Sequence, residues 1–183
     1  MEAVNVLRDE HQGVLIVLDQ LERAVSAAET GAALPTEVFT DIQEFFVVFV
    51  DHCHHSKEER SVFPRLQRKG SFDLIQQLEA GHDRGRALSA AYAEAVRSYL
   101  PGNVPSGQKV AAAARAYAAF LREHIAEEVV ELFPAMEANL TVDDAVMVEE
   151  FDRIEEEQIG PGTHERLHGM IDELPGRIDK VLA

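Results

Sequence analysis

Residues 54–64 read HHSKEERSVFP, and residues 124–134 read HIAEEVVELFP. Both stretches open on His, carry Glu at the fifth place and end on Phe-Pro. The pairs His54 and His124, Glu58 and Glu128, and Phe63-Pro64 and Phe133-Pro134 are each 70 positions apart, so H-x-x-x-E-x-x-x-x-F-P occurs twice in register. A repeat of this kind marks one structural unit used twice. Side chains four apart share one face of an α-helix, so each copy aims an imidazole and a carboxylate in the same direction.

Outward from these stretches the chain reads as helix. Strand signals are nearly absent, and apolar residues recur at helical spacing. A first helix is predicted from about Ala3 to Glu29, with Val4, Leu7, His11, Val14, Leu15, Leu18, Leu21 and Val25 on one stripe. Residues 31–35 break it, and Thr36 reads as the N-cap of a second helix ending near Lys69-Gly70. That helix turns Phe39, Ile42, Phe46, Val47, Val50 and His54 inward. Ser71 caps a third helix that runs to about Tyr99, and PGNVPSG (101–107) reads as a linker. A fourth runs from after Ser106 to about Asn139. The expected fold is all-α, an up-down-up-down four-helix bundle over residues 1–140. A C-terminal helical extension, 141–183, is expected to pack on it, with helical patterns at 142–157 and 163–174.

The odd-numbered helices contribute His11 and His82, 71 apart, each inside an apolar stripe. His11 and His54 both lie roughly 28–30 Å from the first loop at about 1.5 Å per residue, and His82 and His124 are similarly matched about the second linker. Four imidazoles and two carboxylates therefore converge on one layer of the bundle. His55 and Glu59 also satisfy the four-residue spacing. Choosing them would shift the first copy by one residue against Phe-Pro, about 100° around a helix. His54 and Glu58 are thus read as inward, and His52, His55 and Glu59 as facing sideways or outward. A buried polar layer is costly unless compensated. Mutual hydrogen bonds can do this, but metal coordination does it better, because each His-Glu pair aims at one point. Nitrogen and oxygen donors without thiolate favour iron, manganese or zinc.

Composition narrows the partners. Against 17 Lys and Arg stand 33 Asp and Glu, a net charge of −16, which repels nucleic acid and anionic lipid. One cysteine, Cys53, makes no internal disulfide and suits a reducing compartment. No apolar window is long enough to span a membrane, and no secretory leader is visible, so a cytoplasmic protein is expected.

The stretches RDEH (8–11), CHHSKEERSVFP (53–64), LEAGHDRGR (78–86) and HIAEEVVELFP (124–134) resemble hemerythrin-like, HHE cation-binding proteins over roughly residues 1–140. The resemblance implies two iron ions in an oxo- and carboxylate-bridged centre. It implies His11, His54, His82 and His124 as terminal ligands and Glu58 and Glu128 as bridges. Oxygen carriers of the family bear His-x-x-x-His on the third helix, but the second place here is Arg86. Arg86 is read as marking a ligand replaced by solvent, or alternatively as a cation beside the site. Their fourth helix pairs His with a more distant Asp, where this chain has His124-x-x-x-Glu128. The resulting pattern, H, HxxxE, H, HxxxE, is closer to divergent bacterial and iron-sensing branches. With four imidazoles, one position stays open on each six-coordinate ion. That favours redox chemistry on hydrogen peroxide, O2 or NO, such as catalase-like peroxide removal, with the reductant unknown. A non-catalytic O2- or iron-binding, sensing or storage protein is the alternative, and a metal-free interaction bundle a third.

Other features read as ordinary structure: Cys53 as a half-buried filler, Tyr117 as core, Glu127 and Glu131 as surface charge. His164 and His168, four apart, form a weak metal pattern on a helix whose Leu167, Met170, Ile171 and Leu174 are expected to pack. The extension is expected to fold over the end of the bundle nearest the metal layer and to limit access to it.

Overall fold

A computed structural model describes residues 1–182, and no strand occurs among them. The apolar stripe of the first helix buries Val4, Leu7, His11, Val14, Leu18, Leu21 and Val25 over α1 (Glu2–Ala28). The second rod is α2 (Thr36–Phe45), a π-helical stretch Phe46–His55, a second π-helical stretch Glu58–Val62, and α3 (Phe63–Arg68). The third rod is α4 (Phe72–Arg97). The fourth is α5 (Val104–Glu127), a π-helical stretch Glu128–Leu132, and α6 (Phe133–Asn139). The four rods pack as an all-α bundle, α5 against α1 and α4, and α2 against α1 and α4.

The duplication extends to the backbone. The π-helical stretches Glu58–Val62 and Glu128–Leu132 occupy equivalent places, each ending where Phe-Pro begins the next α-helix. Proline has no N–H to offer the preceding turn, and its ring clashes with the carbonyl four residues back. Widening to i→i+5 bonding moves the carbonyl away from the ring and lets the rod continue. The longer stretch Phe46–His55 has no such counterpart: the equivalent residues 116–125 lie within the regular helix α5.

Two apolar clusters sandwich the polar layer. One holds Leu18, Leu21, Phe39, Phe46, Tyr92 and Tyr117; the other holds Leu7, Phe63, Leu78, Phe133, Met136 and Phe151. Each rod passes from one cluster to the other at its histidine.

Several expected boundaries move. Neither Thr36 nor Ser71 makes a side-chain cap bond, and Pro35 stands at the N-cap of α2. The linker read at 101–107 is shorter, because α5 starts at Val104 with Pro105 in its first turn and Asn103 accepting from the Ser106 amide. The tail forms α7 (Asp144–Ile159) and α8 (Thr163–Leu182), the latter continuing through Pro175.

The tail's placement also differs from expectation. It starts at the end of the bundle, where the Asp144 carboxylate accepts from the free amides of Glu2 and Ala3 at 2.8 and 2.9 Å. It then runs along the flank: α7 lies against α1 and the π-helical parts of the second rod, and α8 against α1 and α2. Leu167, Ile171, Leu174 and Ile178 are buried there, and Met170 packs on the same cluster. The apolar stripe of α8 fills the groove between α1 and α2.

Candidate metal centre

The polar layer is fully internal. His11, His54, His82 and His124 are each at most 3% exposed, and Glu58 and Glu128 at most 1%. They form two groups. His11, His54, Glu58 and Glu128 each present a donor atom within 4.8 Å of the others; so, separately, do His55, His82 and His124.

The two carboxylates join the groups. Glu58 turns Oε1 to His54 Nε2 at 3.8 Å and Oε2 to His82 Nε2 at 3.2 Å. Glu128 turns Oε2 to His11 Nε2 at 2.9 Å and Oε1 to His124 Nε2 at 2.9 Å, with His82 Nε2 at 3.7 Å. Each Glu thus gives one oxygen to each histidine group.

Hydrogen bonding satisfies this layer only in part. Both oxygens of Glu58, both of Glu128, His82 Nε2 and His124 Nε2 are buried without a hydrogen-bond partner. Unsatisfied buried carboxylate oxygens are costly, and cations between them remove the cost. The nitrogen and oxygen donors, with no thiolate among them, fit iron, manganese or zinc. Without a cation, protons must compensate. Burial opposes the charged form of His82, yet Glu128, Glu58 and Glu59 outweigh it and hold its pKa up at about 11. Burial likewise opposes the Glu128 carboxylate, but His11, His124 and His82 keep it well below the usual range.

Carboxylates fix the far nitrogens of two of these imidazoles, orienting the rings as outer partners of ligands do. Glu10 Oε2 holds His54 Nδ1 at 2.8 Å, and Glu59 Oε1 holds His82 Nδ1 at 2.7 Å. Arg86 donates to Glu59 and to Asp51, both at 2.7 Å. Arg86 thus steadies the carboxylate behind His82. Lys57, 2% exposed, donates to Glu10 and, at 2.9 Å, to Glu155 of α7. Glu10, Cys53 and Glu155 also converge, but the Lys57 ammonium already pairs with both carboxylates. Burial pushes the Cys53 thiol up to about 12, so it is an inert filler, fully rather than half buried.

His55 departs from the reading that turned it outward. It is 4% exposed, stacks on His82 with centroids 3.9 Å apart, and has Asp51 Oδ1 3.6 Å from its Nδ1, beyond hydrogen-bond distance. Burial first, then His82, pushes its pKa down to about 3, which keeps the metal-free imidazole neutral. His54 and His55 close the π-helical stretch Phe46–His55 and both face the interior, as His124 and Ile125 do at the equivalent places of α5. His52 is exposed and Glu59 is half-buried at the side of the layer, both within the reading. Tyr117 is core, edge-on to Phe46 at 4.6 Å. A cavity of about 250 Å³ lined by Phe46, Val47, Gly85, Ser89, Tyr117 and His55 opens beside the second group.

Sequence reasoning missed His55, Glu10, Lys57 and Glu155. A signal existed for His55, since its counterpart 70 residues on is Ile125, an apolar residue on the inner stripe. None existed for Glu10 and Lys57, whose roles depend on each other and on the tail.

The Hemerythrin HHE cation binding domain family matches residues 2–136. Uncharacterized proteins of Mycobacterium bovis and of two strains of Mycobacterium tuberculosis are each 27% identical to the chain over 103 residues. That stretch is 56% of this chain and 40% of each relative, so the chain spans well under half the length of the curated relatives it matches. No solved structure matches it. No helix among the described residues is long and apolar enough to cross a membrane. The helical bundle, its buried His and Glu groups able to hold metal, and the match across residues 2–136 agree: the chain belongs to the hemerythrin HHE cation-binding family.

Proposed function

We propose that the protein holds two iron ions and reacts through them with a small oxidant or gas: hydrogen peroxide, O2 or NO. One observation carries this reading: Glu58 and Glu128 each extend one oxygen toward each of two histidine groups and leave all four oxygens without hydrogen bonds. His11 and His54 would hold one ion, His82 and His124 the other, and the two carboxylates would bridge them. When bound, such a pair of ions supplies electrons to, or accepts them from, a small oxygen or nitrogen species. The protein's own contribution is orientation and exclusion. Glu10 and Glu59 fix the imidazoles of His54 and His82. The apolar clusters on both sides exclude bulk water. The cavity at His55 gives a small molecule a way in. The strongly acidic chain disfavours nucleic acid and anionic membranes as partners, and the cytoplasm as its place agrees with one thiol held inert.

His55 supports a second reading. As a fifth imidazole it would fill the place that Arg86 leaves, so that one open position remains rather than one on each ion. A single open position suits reversible binding or sensing better than turnover. Adding excess peroxide to the iron-loaded protein and following both peroxide loss and the ultraviolet-visible spectrum tests the two. Many equivalents consumed with the spectrum recovered supports turnover. A spectrum that changes reversibly with O2, without peroxide loss, supports binding. Neither response would remove both.

A further inference from the structure

A second pair of imidazoles, on the tail, repeats the arrangement of the buried one. In the interior, His11 Nε2 and His54 Nε2 meet at 3.1 Å, and Glu10 holds the far nitrogen of His54 at 2.8 Å. On α8, His164 Nε2 and His168 Nε2 meet at 2.9 Å, and Glu155 Oε1 holds the far nitrogen of His164, also at 2.8 Å. Lys57 stands between the two orienting carboxylates and donates to both.

The chemistry of the tail pair follows from its tautomers. With Nδ1 of His164 donating to Glu155, its Nε2 carries a lone pair directed at His168. When the His168 proton sits on Nδ1, a second lone pair points to the same spot. Two imidazoles four apart on one helix face then offer two nitrogens to one ion. Phe49 packs against both rings, with centroids at 5.4 and 5.9 Å, and limits their rotation. His168 is exposed and His164 half-buried, so water can complete the shell of a cation bound there.

We propose that His164 and His168 form a separate, solvent-facing site for a divalent transition-metal ion, with Glu155 as the residue that positions His164. Imidazole donors with water fit Zn2+, Ni2+, Cu2+ or Fe2+ rather than Ca2+ or Mg2+. The site is independent of what fills the buried layer. Its orienting carboxylate nevertheless also holds Lys57, and through Lys57 and Glu10 it reaches His54. The tail pair and the buried layer are thus ends of one hydrogen-bonded chain.

Zn2+ is the probe: the full chain, loaded with iron and passed over a chelating resin, is titrated calorimetrically. One additional Zn2+ per chain is expected. His168→Ala should weaken it at least about tenfold, and His164→Ala/His168→Ala should abolish it, with iron content and helicity unchanged. Glu155→Gln should weaken it about 10- to 100-fold, the range for residues that orient metal-binding histidines. Wild-type protein that takes up no additional Zn2+, or a double variant that binds it as tightly as wild type, would overturn the proposal. Unchanged affinity in Glu155→Gln would overturn the positioning role alone. Because iron is quantified in every sample, failure of the tail site is distinguishable from failure of the buried one.

Discussion

Gly81 is a glycine because His124 fills the space its side chain would need. A Cβ there would stand 2.8 Å from Cε1 and 2.9 Å from Nδ1 of the ring, which is itself stacked on Phe120 and edge-on to His82. Gly81→Ala should push His124 off the layer and lower the affinity for the second metal ion, with the fold retained. Equivalents of iron bound per chain, alongside helicity, check this. His55→Ala bears on the fifth imidazole: if His55 completes the His82–His124 group, the variant should lose affinity for that ion while retaining the one at His11 and His54. At this scale the sequence was legible where spacing alone determines direction. The inward direction of His54, Glu58, His124 and Glu128 follows from the 70-residue repeat, although His54, Glu58 and Glu128 lie in π-helical stretches. His55 did not follow, because the repeat was matched on its polar residues and passed over Ile125, the buried apolar residue at the equivalent place. Glu10 and Lys57 were unreadable for another reason. A buried Lys is stable only with its partners in place, and one of those, Glu155, lies 98 residues on.

The rods owe their joining to close contacts at their ends. Gly107, in the first turns of α5, would place a Cβ 2.2 Å from the carbonyl oxygen of Ala28, the last residue of α1. Backbone cannot give way as a flexible side chain can. Gly107→Ala should therefore destabilise the bundle by about 1–3 kcal/mol, as overpacking does, visible as a lower urea midpoint with an unchanged slope. The tail is joined in part through the Lys57 ammonium between Glu10 and Glu155. Lys57→Ala would leave the buried Glu10 carboxylate with only His54 and should cost about 3–5 kcal/mol, the usual penalty for breaking a buried ion pair. Chemical denaturation measures it, and a loss well under 1 kcal/mol would mean that Glu10 is satisfied without the tail. The four rods and the tail's amphipathic stripe could be read from periodicity. The groove the tail fills could not, since Leu167, Ile171 and Leu174 specify an apolar surface but not which one.

For the molecule as a whole, buried and half-buried carboxylates set the response to acid. Burial opposes ionisation of Glu10, Asp51 and Glu155, but His54 and Lys57, His55 and Arg86, and His164 and Lys57 respectively outweigh it and hold each pKa at about 2. Their ordinary values are 4.5 for Glu and 3.8 for Asp. Groups held lower in the folded state than in the unfolded one stabilise the fold above the ordinary value, and that contribution is lost as pH falls through the folded value. The urea midpoint of the metal-free protein should therefore decline as pH is lowered from about 5 toward about 2. A midpoint that stays level across that window would show these pairs to be energetically silent. The most direct test concerns the layer between the two apolar clusters. Anomalous diffraction at the iron edge, from crystals of the full chain as purified, should show two peaks. One is expected beside His11 and His54 and the other beside His82 and His124, with Glu58 and Glu128 spanning them. A single peak, or none in a layer that is nonetheless folded, would contradict the bridged pair.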